Sequence, residues 1–266
     1  MIPAVATALD SIVGNVVTLR NAKGAGRAYE LYIMTGIAME LKQLGCTVWV
    51  QRSDGSRIAP VDSDRRFVQR GGVPTGVPGA AQGKSNGSSI VFRMPGSGRE
   101  WEIWNGIKFK GRSGGDHEID IAIVPREIGI TLRSYPHGGV PGGRPRVSIE
   151  CKDVGQKGDV DEMRAFVARM YDLTFLNWHA GKIPHQPNPP QCIFPGAPAG
   201  NDPYYSFWVG NRETFNVVAR RTGFRAGATA MTGYYAVQPR GPLFPGSPEE
   251  TSLISDLSQW TMQNLV

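Results

Sequence analysis

The sequence predicts an α/β fold, a mixed central β-sheet with helices on its faces. Two patterns predict it: apolar residues recur at helical spacing in several segments, and period-two alternation runs through short segments between them. The chain has 266 residues, 40% hydrophobic and 20% charged, enough to bury a sizeable core and too apolar for a disordered chain. Its 34 glycines and 20 prolines gather in particular stretches, which read as long loop insertions between ordered elements.

The first segment, "MIPAVATALDSIVGNVVTL", lacks a basic flank and is broken by Asp10, so it reads as a short helix packing on the domain rather than a leader or a membrane span. From Arg27 to Leu44, the residues Leu31, Met34, Ile37, Ala38, Leu41 and Leu44 share a helical face, and Gly45 closes the run. "CTVWVQR" follows as a strand. Residues 70–88 are full of breakers and form a long loop. "SIVFRM" (89–94) and "EWEIWNGIKFKG" (100–111) read as strand and strand or hairpin. "HEIDIAIVP" (117–125) is a strand with Ile119, Ile121 and Ile123 on one face and Glu118, Asp120 and Ala122 on the other.

A second loop over 133–146 leads into "VSIECKDV", another strand. Residues 159–174 form a helix with Met163, Phe166, Val167, Met170 and Leu173 inward. After a Pro-rich stretch, a strand is expected over 204–210 and a helix over 212–224, with Phe215, Val218 and Ala219 facing inward. "AMTGYYAVQP" is expected to be a last strand. "SPEETSLISDLSQWTMQNLV" opens with a helix-start signature and continues amphipathically. The chain divides into an N-terminal segment (1–26), a core domain (27–238) and a C-terminal tail with its helix (239–266).

The net charge of +6 favours a polyanionic partner, nucleic acid ahead of an acidic membrane surface. Cys46, Cys151 and Cys192 are odd in number and far apart, which suggests neither a disulfide framework nor a zinc site and fits a cytoplasmic location.

The chemistry concentrates in "SIECKDV". With a strand period of two, Glu150 and Lys152 share one face, while Val147, Ile149 and Cys151 take the other. Ionisable groups inside an apolar run are costly to bury and so point to function. If the strand bearing Asp120 lies alongside, then Asp120, Glu150 and Lys152 converge. Paired carboxylates repel unless a cation sits between them. Hard oxygen donors suit Mg²⁺, with Mn²⁺ as a substitute, and the main-chain carbonyl of Cys151 adds a further oxygen. Lys152 is then placed to orient or activate a water, or to offset charge growing on a phosphate.

An Asp followed by Glu-x-Lys on the next strand resembles the PD-(D/E)XK, or restriction-endonuclease-like, nuclease superfamily; here the match is Asp120 and "ECK" at 150–152. The glycine-rich text "GRSGGDHEIDIAIV" strengthens it, whereas the proline that often precedes the Asp is missing. The resemblance spans roughly residues 27–225. It implies an αβββαβ core, metal-dependent cutting of DNA in restriction or defence, and a homodimer. It also implies a further acid on the first core helix, for which Glu30 is the candidate. A repair or recombination nuclease, or a non-cleaving nucleic-acid-binding protein, uses the same core. Gln156, Lys157, Lys84, Arg144 and Arg146 are candidate phosphate contacts beside the site, with Arg70 and Arg133 in the same loops. Arg220, Arg221 and Arg225 are expected to extend that basic surface from the last core helix.

Overall fold

The computed structural model describes residues 1–20, 24–69, 87–111, 113, 115–134, 145–174, 214–235 and 237–265. In chain order the elements are α1 (Ile2–Val13), β1 (Thr18–Arg20), α2 (Ala25–Gln43), β2 (Thr47–Gln51), β3 (Arg66–Val68), β4 (Ser89–Arg93), β5 (Glu100–Lys110) and β6 (Asp116–Pro125). There follow α3 (Arg126–Ser134), β7 (Val147–Lys152), α4 (Val160–Thr174), β8 (Phe215–Arg220), α5 (Ala226–Tyr235), β9 (Val237–Arg240) and α6 (Pro248–Asn264). Strands β1 and β3 pair in a small parallel sheet. The other seven form one mixed sheet in the order β2-β4-β5-β6-β7-β8-β9. Pairing is antiparallel from β2 to β7 and parallel from β7 to β9.

Two apolar clusters cover the two faces of this sheet. One gathers α1, α2 and α6 through Leu9, Tyr29, Ile33, Ile37, Leu253 and Leu257. The other gathers α3, α4 and α5 through Ile128, Met163, Phe166, Met170 and Ala228. Among the described residues no helix is long and apolar enough to cross a membrane.

Local chemistry explains the helix ends. At the end of α2, Gly45 takes φ +94° and donates to Lys42 O, while Cys46 N–H reaches back to Leu41 O. That pairing satisfies two terminal carbonyls and needs a left-handed residue. At the start of α6, Pro248 follows Ser247, whose hydroxyl accepts from Glu250 N–H at 3.2 Å, and the Glu250 carboxylate reaches back to Gly246 N–H at 2.6 Å. Ser247→Ala is expected to cost about 1 kcal/mol of stability, read as a shift of the urea midpoint with an unchanged slope.

Four sequence expectations need correction. The helix expected over 212–224 is β8: six consecutive buried residues, with Val217 in one cluster and Val218 in the other. A strand covered on both faces has no polar alternation, so its apolar positions mimic a helical stripe. The stretch taken as a last strand holds the end of α5 and then β9. Helix α3 occupies the start of the second expected loop. Finally, the isoleucines of β6 do not line one face: Ile119 joins the α4 side, whereas Ile121 and Ile123 join the α2 side. The change falls where Gly106, at φ +59°, lies between the Asn105–Ile121 and Ile107–Ile119 pairs. A residue with a Cβ resists that backbone. The strand expected over 204–210 lies outside the described residues.

Candidate active site

Strands β6 and β7 run antiparallel with Ile121 opposite Ile149, so Asp120 and Glu150 stand one step further along adjoining strands. The Asp120 carboxylate accepts the Cys151 N–H at 2.7 Å. In a strand the N–H and C=O of one residue point to the same edge, so the Cys151 carbonyl faces β6 as well. Lys152 Nζ donates to Glu150 Oε1 at 2.6 Å. The three residues singled out in the sequence therefore meet.

Glu30 reaches this group from α2 through an intermediary. Asn105 Nδ2 donates to Glu30 Oε2 at 2.7 Å and to the main-chain oxygen of Asp120 at 3.0 Å. Gln69 Nε2 fixes the Asn105 amide by donating to its Oδ1 at 2.9 Å. From the other face of the sheet, Arg169 of α4 donates to Glu150 Oε2 at 2.5 Å and to Glu118 O at 3.2 Å.

The electrostatics follow from crowding acids in a poorly hydrated place. Burial, then the Glu150 charge, pushes the Asp120 carboxyl up to about 7, against the pull of the Cys151 N–H. Burial also raises Glu30, partly offset by the Asn105 hydrogen bond. For Lys152, burial alone would lower the ammonium, but the Glu150 charge and hydrogen bond outweigh it and raise the pKa. Lys152 is thus held as a cation, suited to orienting a water and offsetting anionic charge rather than to accepting a proton. Burial, then the Asp120 charge, raises the Cys151 thiol well above its ordinary value, which leaves it an inert core residue.

The sign of the Asp120 shift gives a test. In the metal-free fold this acid keeps a proton that the unfolded chain releases near 3.8, so its effect on stability is least adverse below about pH 4 and grows more adverse as pH rises through about 7. Asp120→Asn removes that slope. In chelator, the melting temperature of wild type relative to Asp120→Asn is expected to fall between pH 5 and pH 8; a constant difference would contradict the shift.

No family model, curated protein or solved structure matches this chain.

Among the described residues no three His, Cys, Asp or Glu side chains converge closely enough to hold a metal by themselves. The donor set at this place is two carboxylates and a main-chain carbonyl. All are hard oxygens, and water completes such a set for Mg²⁺.

The candidate phosphate contacts fare unevenly. Gln156 and Lys157 are exposed in the turn after β7, and the Gln156 main-chain oxygen is held by Arg220 and Thr222. Arg146 is corrected: it is 1% exposed, with its guanidinium over the Trp260 ring at 5.7 Å, so it is a core cation out of reach of a polyanion. Arg220 is corrected likewise, buried at the end of β8 against Glu162 and Gln156 O. Arg221 is exposed and pairs with Asp153 at 3.0 Å, and Arg225 is exposed. Lys84, Arg144 and Arg70 lie outside the described residues, as does the Arg133 side chain. His117 pairs with Asp172 at 2.6 Å, and Asp172 also accepts the Ser113 hydroxyl. That histidine is structural.

Sequence reasoning missed Asn105 and Arg169. A polar residue beside a glycine inside β5 was a signal for the first. For the second, Arg169 lies three residues after Phe166 and four before Leu173, at the margin of the buried stripe of α4.

Proposed function

We propose that this chain is a metal-dependent endonuclease hydrolysing phosphodiester bonds in DNA, on the restriction-endonuclease-like core that its Asp and Glu-x-Lys pattern resembles. The observation that carries this reading is the meeting of Asp120, Glu150 and Lys152 across β6 and β7. The element order supports it. Helix α2, strands β5, β6 and β7, helix α4 and strand β8 come in the order αβββαβ, with β2, β3 and β4 inserted before β5 and α3 inserted before β7, and the four strands are neighbours in the sheet in that order.

In this reading Asp120, Glu150 and the Cys151 carbonyl hold Mg²⁺, or Mn²⁺ in its place. The ion supplies Lewis acidity toward the scissile phosphate and lowers the pKa of water at the site. Lys152 orients the attacking water and offsets the charge that grows on the phosphate. Glu30, linked to Asp120 through Asn105, would assist through water. DNA is the partner favoured by the net charge of +6, and a homodimer suits cleavage of both strands. Restriction or defence against foreign DNA is the setting the resemblance implies.

A second reading has one observation in its favour. Both Glu150 oxygens are occupied by side-chain cations, as in a purely structural network on a non-cleaving nucleic-acid-binding protein. Incubation of the purified chain with plasmid and linear DNA in Mg²⁺, Mn²⁺ or EDTA separates the two. The nuclease reading expects cutting with either metal and none in EDTA. DNA binding without cutting under any of the three conditions would overturn it.

A further inference from the structure

We infer that Arg169 is a latch on the Glu150 carboxylate: it closes the metal position in the free protein and passes to a phosphate of bound nucleic acid, which opens that position. This inference rests on the nuclease reading and adds a regulation to it.

Glu150 is buried, and each of its oxygens accepts from a different cation, Oε1 from Lys152 at 2.6 Å and Oε2 from Arg169 at 2.5 Å. A carboxylate so engaged offers little to a divalent ion, so one cation must leave before Glu150 can ligate. Lys152 is two residues along the same strand and stays beside Glu150 wherever the strand goes. Arg169 comes from a different element, and its guanidinium reaches the site from the α4 side. It donates to Glu150 and to the main-chain oxygen of Glu118, both through one terminal nitrogen. Among the described residues the other edge of the fork has no hydrogen bond, and the Arg169 side chain keeps 26% of its surface in solvent.

A guanidinium with one edge engaged and another facing water matches a phosphate well, because the planar fork can bind two phosphate oxygens at once. A phosphate arriving at this face competes with Glu150 for the same cation. When it wins, Glu150 Oε2 is released and a positive charge moves away from the metal position. Nucleic acid and metal then strengthen each other's binding, and by linkage the factor is the same in both directions. A free protein that holds metal weakly would also be restrained from cutting until a strand is seated.

The test is Mn²⁺ titration calorimetry on chelator-washed protein, with Mn²⁺ alone and with a short phosphorothioate duplex that resists cleavage. Wild type is expected to bind Mn²⁺ more tightly when the duplex is present. Arg169→Leu is expected to bind Mn²⁺ alone about tenfold or more tighter than wild type, the scale of one charged hydrogen bond, and to gain little further from the duplex. Mn²⁺ affinity in Arg169→Leu equal to or below that of wild type would overturn the latch, as would an equal gain from the duplex in both proteins. Glu150→Gln separates the two levels of the argument. Loss of Mn²⁺ binding in Glu150→Gln together with an unchanged Arg169→Leu removes the latch and leaves the nuclease reading standing. Undiminished Mn²⁺ binding in Glu150→Gln removes both. If circular dichroism shows Arg169→Leu unfolded, Arg169→Lys decides: it keeps the charge but loses the fork, so a smaller duplex effect supports the latch and an unchanged one overturns it.

Discussion

Lys152→Ala is expected to lower metal-dependent cleavage of plasmid DNA by about 10²-fold or more, the range seen when a positioned proton-transfer or charge-stabilising group is removed. The loss should fall on the cleavage step with DNA affinity little changed, because one of many cations near a polyanion is replaceable whereas the one beside the reacting phosphate is not. The fold is expected to survive, since the Lys152 side chain is one-third exposed and Glu150 keeps Arg169. Lys152→Arg should not restore the rate, because a planar fork cannot occupy the position of a compact ammonium 2.6 Å from Glu150. Single-turnover cleavage alongside a filter-binding titration separates the two effects. Equal loss in rate and affinity would mean that Lys152 only helps to bind.

The largest expected loss of stability lies away from this site. Glu102 is 0% exposed beneath α3, where Trp104 Nε1 donates to one oxygen at 2.7 Å and Arg126 to the other at 2.8 Å. Arg126 also donates to Gln51 Oε1 and lies 3.4 Å from Glu100. The helix comes so close that a Cβ on Gly129 would sit 1.9 Å from a Glu102 oxygen, so glycine is needed there. Arg126→Ala takes a cation away from this buried carboxylate and is expected to cost about 3–5 kcal/mol, measured by urea unfolding. The double variant Arg126→Met with Glu102→Gln should recover a large part, because the penalty comes from the uncompensated charge. A loss below 1 kcal/mol in Arg126→Ala would mean that water or another group already neutralises Glu102.

What was legible in the sequence and what was not divides by physical cause. Glu150 and Lys152 stood out because a period of two places them on one side of an otherwise apolar strand, where a charge has no ordinary reason to be. Asp120 stood out for the same reason. The capping residues of α2 and α6 were also readable, because Gly45 and Ser247 act on their immediate neighbours in the chain. Strand β8 was misread because Phe215, Val218 and Ala219 satisfy a helical stripe as well as they fill a strand buried on both faces. The face change in β6 has no signal in its own text; it falls opposite Gly106 on the neighbouring strand. Arg169 was missed because its partner lies 19 residues away, and helical periodicity says which residues face inward but not what they meet. Arg146 and Arg220 were read as surface charges because composition cannot tell a solvated arginine from one laid against Trp260 or paired with Glu162.

The central claim is that Asp120 and Glu150 grip one divalent ion together. Anomalous diffraction from crystals grown with Mn²⁺ and a phosphorothioate duplex tests it most directly. The account predicts a single strong peak at about 2–2.5 Å from a carboxylate oxygen of each residue, with Arg169 turned from Glu150 toward a phosphate. A peak elsewhere, or none at that position under millimolar Mn²⁺, would contradict it.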